Sequence, residues 1–136
     1  PTTPKIDEPQ YEITFKIDSE FIMRFSKVKG ALGSNVKDIF RATTITDDEG
    51  NKQVKFVLGE PTSHANKVEF TTEATFDQLG TNPMSYNSSY VKEILNANKD
   101  DMSEATGYLS TQGLLKIEFT NENGTSVYYL PELQIL

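Results

Sequence analysis

Two stretches of this chain gather side chains able to contact phosphate. The first, following Asp18 and Ser19, carries Arg24, Lys27 and Lys29; the second, following Ser88 and Ser89, carries Lys92, Asn96 and Lys99. Spacings of three and four residues put Glu20, Arg24, Lys27 and Ala31 on the helix face opposite Phe21, Phe25 and Val28. The same spacing sets Lys92, Asn96 and Lys99 apart from Val91, Ile94 and Leu95, with Glu93 beside them. Lysine and arginine are the ordinary solubilising cover of a surface helix. What separates these from that default is contrast. The 136 residues hold 13 Lys and Arg against 20 Asp and Glu, a net charge of -7, yet cations and amides collect on two helical segments. Long cationic side chains there suit contact with a phosphate backbone, without base reading.

The second place with chemical content is the end of the chain. Tyr128-Tyr129-Leu130-Pro131-Glu132-Leu133-Gln134-Ile135-Leu136 stays apolar to the last residue, where most domains fray into polar ones. One face of Tyr128 to Pro131 has to pack in a core. Leu133, Ile135 and Leu136 either finish that core or line an exposed apolar groove for a partner peptide.

Other chemistry finds little material. With no Cys, thiol catalysis, disulfides and thiolate metal sites are excluded. The single His, His64, sits in the polar loop Thr62-Ser63-His64-Ala65-Asn66, and one His without Cys does not make a zinc site. There is no phosphate loop of the Gly-rich type and no nucleophile elbow. Asp47-Asp48-Glu49-Gly50 suggests a calcium loop, but aligning Gly50 with that motif's glycine puts Ile45 and Phe56 at ligand positions, so a solvated hairpin tip is expected. Asn87-Ser88-Ser89 and Asn123-Gly124-Thr125 match the glycosylation triplet, a pattern common by chance. No cofactor or metal is expected.

The elements that would position these residues follow from period and turn signals. Tyr11, Ile13, Phe15 and Ile17 alternate with Glu12, Thr14, Lys16 and Asp18, a half-buried strand. Asp18 or Ser19 then caps a helix bearing Phe21, Ile22, Phe25, Val28 and Leu32, ended by Gly30 and Gly33. Ile39 to Thr46 and Lys52 to Leu58 make a hairpin, and Val68 to Phe76 a third strand after a loop with Pro61. The order then recurs: a short strand from Pro83 to Asn87, a helix capped by Ser88 or Ser89 with Tyr90, Val91, Ile94 and Leu95, and strands from Ala105, Leu114 and Thr125. Asn123-Gly124 is the strongest turn signal. The two halves share pattern, not identity. A βαβββ unit occurring twice predicts an α+β fold with two helices side by side on one face of an antiparallel framework. Length and composition suit one domain over 11–136, preceded by a Pro-rich linker over 1–10 containing Pro1, Pro4 and Pro9. No apolar run approaches the ~20 residues that cross a bilayer.

This order, the cationic helix pair and the ending Tyr128-Tyr129-Leu130-Pro131 resemble the DNA sliding clamps. Ser85-Tyr86, Gly107-Tyr108-Leu109-Ser110, Leu114-Leu115-Lys116-Ile117-Glu118-Phe119 and Val127 to Pro131 look like the last domain of proliferating cell nuclear antigen. The first half, with its loop around His64 and its Pro-rich lead, is more similar to the C-terminal domain of T-even-type phage clamps. The resemblance implies a non-catalytic domain contributing to a homo-oligomeric ring around duplex DNA, with helices lining the hole and sheets forming the outer wall. It implies that Arg24, Lys27, Lys29, Lys92, Asn96 and Lys99 face DNA. It places Tyr129, Leu130, Pro131 and Leu133 by the pocket for hydrophobic peptides of DNA polymerase and clamp loader. The chain departs from the family in carrying Glu132 and Leu133 where a basic residue is usual. Family subunits hold two or three such domains, so the Pro-rich start is expected to be an interdomain connector and the chain a C-terminal domain, working in the cytoplasm (a host's, if phage-encoded). The competing expectation is a phage or viral structural β-rich domain that binds protein alone.

Overall fold

Ile13, Phe15 and Ile17 are buried and Lys16 between them is exposed, so the alternation seen in the sequence is the alternation of the folded strand. The structure, a computed structural model, describes residues 9–32, 39–59, 67–76, 84–100 and 104–133, with side chains at 26–32, 59 and 67 outside that description. Its elements are β1 (Ile13–Lys16), α1 (Ser19–Leu32), β2 (Ile39–Thr46), β3 (Lys52–Gly59), β4 (Lys67–Thr75), β5 (Met84–Asn87), α2 (Ser88–Asn98), β6 (Glu104–Ser110), β7 (Leu114–Asn121) and β8 (Gly124–Pro131). This is βαβββ twice, in an α+β fold. The linker expected over 1–10 falls almost wholly outside the described residues, as does the His64 loop.

All pairings are antiparallel, in the order β5-β2-β3-β4-β1-β6-β7-β8. Each half supplies a three-stranded meander, β2-β3-β4 or β6-β7-β8, and each lends its opening strand to the other half. β1 pairs with β6 from Ile13↔Leu109 to Lys16↔Thr106, and β5 pairs with β2 from Ile39↔Asn87 to Ala42↔Met84. The join between β1 and β4 is short, only Thr14↔Thr75 and Phe15↔Ala74. At the far side, the Leu133 N–H donates to the Ser85 carbonyl at 2.8 Å, tying the end of β8 to β5 and bringing the two outer strands together. α1 lies against α2, β3 and β4, and α2 against β2, so the helices are neighbours.

An aromatic cluster holds α1 to the sheet. Phe21 meets Phe15, Phe56 and Phe70 with ring centroids 5.1–6.0 Å apart, and Phe25 meets Phe40 at 5.3 Å. Burying each such ring is worth roughly 1.5–3 kcal/mol. Phe15 lies directly over Gly107: a Cβ built on that glycine would stand 2.0 Å from the ring. The neighbouring Phe56 and Phe21 leave the ring no free side to move into.

Local signals resolve in detail. Asp18, not Ser19, caps α1, accepting from the Phe21 N–H at 2.8 Å. Asn87 caps α2 in place of Ser88 or Ser89, accepting from the Tyr90 N–H at 3.0 Å with extended backbone at φ -75, ψ 116. An Asx side chain on the last strand residue already stands where the first free N–H groups point, and Ser88 is buried. Tyr90, expected on the apolar face, is 60% exposed. At the β7–β8 turn no Asn takes positive φ; Gly124 does, at 138, and Asn121 accepts from the Asn123 N–H. The corner is therefore Glu122-Asn123, with Gly124 as the first paired residue. At the β2–β3 tip Gly50 has φ 85, and the Asp47 carboxylate accepts from the N–H groups of Asn51 and Glu49 and from Asn51 Nδ2.

Gly107→Ala is expected to destabilise the domain by roughly 1–3 kcal/mol in urea unfolding, with m unchanged, through overpacking against Phe15. The bonds from Asn51 first, and then Glu49 and Gly50, hold the Asp47 carboxyl below the usual aspartate range. Their stabilisation is present at neutral pH and lost as pH falls through that depressed value. Carbon-detected NMR titration should show Asp47 protonating below the usual aspartate range, and Asn51→Ala should raise its midpoint.

Candidate functional site

The helix pair is positioned by its buried sides. On α1, Phe21, Ile22 and Phe25 face the sheet, leaving Ser19, Glu20, Met23 and Arg24 exposed, Met23 at 49%. Arg24 is not a lone cation: its Nη2 sits 2.5 Å from Glu20 Oε1, one helical turn earlier. Exposed pairs of this kind contribute only a few tenths of a kcal/mol, and they exchange readily for another anion. Lys27 and Lys29 belong to α1, but their side chains lie outside the described residues.

On α2, Ser88, Val91 and Leu95 are buried. Lys92 follows Val91 by one 100° step and is half-buried, at the border of the core rather than opposite it. The outward stripe is instead Tyr90, Glu93, Asn96 and Ala97, with Lys99 exposed at the C-cap. The expectation that Lys92, Asn96 and Lys99 form the outer face is corrected in this respect. Ile94 is half-buried, so the buried side turns away from it and Lys92 moves inward. Lys99 stands where the helix dipole favours a cation. The last turn is pinned by Asn98, whose Nδ2 donates to the Ile94 carbonyl and to the Tyr128 hydroxyl at 3.1 Å, joining α2 to β8.

The terminal strand divides by parity. Tyr128 and Leu130 point inward, opposite Ile117 and Leu115, and Leu130 is 6% exposed as part of the core. Leu130 therefore offers no side chain to a surface pocket in this chain. Tyr129 is half-buried and Pro131 exposed, while Leu133 is half-buried and held by its bond to Ser85. Gln134 to Leu136 lie outside the described residues.

The sequence reading missed what surrounds Tyr129. Lys116 is its cross-strand partner and also that of Tyr108. The Lys116 ammonium lies 5.1 Å from the Tyr108 ring centroid and 5.4 Å from that of Tyr11, and Glu118 is 4.0 Å away. Val127, 38% exposed, and half-buried Leu114 continue this outer face of β6, β7 and β8. Three tyrosines around a lysine make a surface with large apolar area and polar tips, the composition that protein-binding surfaces favour. The strand alternation carried the signal, since Tyr108, Lys116 and Tyr129 all sit at outward positions once the two hairpins are paired. Glu12 fixes the segment leading into β1, accepting from the N–H and hydroxyl of Thr111.

Behind this surface, Glu132 takes a place by β5. Its N–H donates to the Gly113 carbonyl at 2.8 Å. Burial first, and then the Glu132 charge, push the Tyr86 phenol well above the ordinary tyrosine range. Among the described residues no group of His, Asp and Glu is placed to hold a metal, and no helix is long and apolar enough to cross a membrane. No protein-family model and no curated protein sequence matches the chain.

Asn87→Ala should cost about 1 kcal/mol in thermal or urea unfolding through loss of the α2 cap, whereas Ser89→Ala should cost far less. Because the fold favours the neutral phenol, the Tyr86 contribution is complete below the free value of about 10 and is lost as pH rises above it. Absorbance at 295 nm should show one tyrosine ionising only with alkaline unfolding, and Glu132→Gln should ease its ionisation.

Proposed function

We propose that this chain is a sliding-clamp-like processivity domain, a non-catalytic unit of a ring that encircles duplex DNA and docks hydrophobic peptides of polymerase and loader. The observation that carries the reading is the duplicated βαβββ framework, with its opening strands exchanged and its two helices in contact. Two neighbouring helices backed by a continuous sheet give a rigid surface on one side. Arg24, Lys99 and Asn96 are exposed, and Lys27 and Lys29 belong to α1 with Arg24. Cations this sparse suit guidance of DNA rather than a grip. Each neutralised phosphate adds nearly one unit to the salt-dependence slope, so a tight binder would slide poorly. The net charge of -7 discourages DNA from binding elsewhere on the molecule. Tyr129 and Pro131, with Tyr108, Lys116 and Tyr11, form the surface for partner peptides on the opposite, sheet side.

A second reading, a structural β domain that binds protein alone, is favoured by one observation. The outward stripe of α2 presents Tyr90, Glu93 and Ala97 more squarely than it presents Lys92. One experiment separates the two. The full encoded polypeptide, loaded on nicked circular DNA, should be retained through gel filtration and lost when the circle is linearised. Charge reversal at Arg24, Lys27 and Lys99 should reduce loading at least tenfold, with unfolding midpoints unchanged. Equal retention on linear and circular DNA, or none on either, would reject the clamp reading.

A further inference from the structure

The short join between β1 and β4 leaves a feature that neither reading uses. After Phe15↔Ala74 the two strands part, and the Lys16 carbonyl is met by the Thr72 hydroxyl at 2.8 Å instead of a β4 amide. This parting opens a depression of about 620 Å³, bordered among the described residues by Thr14, Lys16, Lys52, Gln53, Glu73 and Thr106. A second depression of about 310 Å³ shares Lys16, Gln53 and Glu73 with it and runs on to Asp18, Glu20 and Arg24 at the start of α1.

Most charges along this trough are committed. Asp18 caps α1, and Glu20 pairs with Arg24. Lys52 donates to the Phe76 carbonyl and lies over the Phe76 ring, 5.4 Å from its centroid, so its position is fixed while its charge meets no carboxylate among the described residues. Lys16 is exposed and has no ion pair among the described residues. Two uncompensated ammonium groups thus border one recess on a protein of net charge -7. Thr14 and Thr106 add hydroxyls from β1 and β6, and Gln53 adds an amide from β3. The exposed Glu73 forms part of the wall, a carboxylate suited to accept from the hydroxyls of a ligand and to repel a second anion.

We propose that this trough binds a phosphomonoester of a small hydroxylated molecule, its phosphate on Lys16 and Lys52 and its hydroxyls toward Glu73 and Gln53. Lysine serves here as a point charge for phosphate. Glu73 disfavours bisphosphates and nucleic-acid backbones, so the assignment does not rest on the clamp reading.

The test is a nitrogen-15 NMR titration of the 136-residue chain at constant ionic strength with glucose 6-phosphate, glucose and inorganic phosphate. Glucose 6-phosphate should shift the amides of Thr14, Lys16, Lys52 and Thr106 saturably. Inorganic phosphate should do so more weakly, and glucose weaker by about tenfold or more, the equivalent of ~1.4 kcal/mol. Lys16→Ala should weaken the sugar phosphate by about tenfold while leaving signals elsewhere in place, since that side chain is exposed and has no ion pair among the described residues. Glu73→Gln should raise affinity for fructose 1,6-bisphosphate. Non-saturating shifts, equal response to glucose, or an unchanged titration in Lys16→Ala would overturn the assignment.

Discussion

The constraint on which the architecture rests is the exchange of opening strands. β1 and β5 are four residues each, too short to hold a place in a sheet by their own hairpin. Each is held by the meander of the other half, and each launches a helix within two residues of its end. The start of α1 is therefore tied to β6 through β1, and that of α2 to β2 through β5. Phe15 over Gly107 is the tightest point of this arrangement, because a ring from one half occupies the space where the other half would carry a side chain. Neither half completes its sheet without the other, and the contact between the helices follows from that mutual dependence.

How much of this could be read from residue order differs by element. Strands with one wet face declare themselves by alternation, and β2, β3, β4, β6, β7 and β8 fall within a residue or two of expectation. The exchange itself is invisible, since Ile13 and Leu109 are far apart in the chain and nothing in either names its partner. Caps were half legible. Asn87-Ser88-Ser89 offers three capping side chains in a row, and only the backbone turn selects Asn87. The placement of Lys92 failed for a geometric reason: one residue beyond a buried position is a quarter turn, not half a turn, from the core. The resemblance of the ending Tyr128-Tyr129-Leu130-Pro131 implied that Leu130 borders a partner pocket, whereas strand parity sends it inward.

The two sides of the protein differ in kind. The helix side shows scattered charge, part of it neutralised within Glu20–Arg24. The sheet side concentrates Tyr11, Tyr108 and Tyr129 around Lys116, with Val127 nearby. Side chains of this second sort lose little conformational freedom on binding and bury much area, so they suit lasting contact with a folded or extended chain. A surface of scattered cations suits a partner that has to keep moving.

The long span of the β1–β6 ladder also bears on how the domain is made. Gly107–Leu109, the partner of β1, is translated roughly ninety residues after it. Until then the edge of β1 that faces β6 has no partner strand. Closing so large a loop late places this domain among slow folders and leaves apolar strands open during synthesis. A nascent chain of this design carries an open strand edge until β6 emerges.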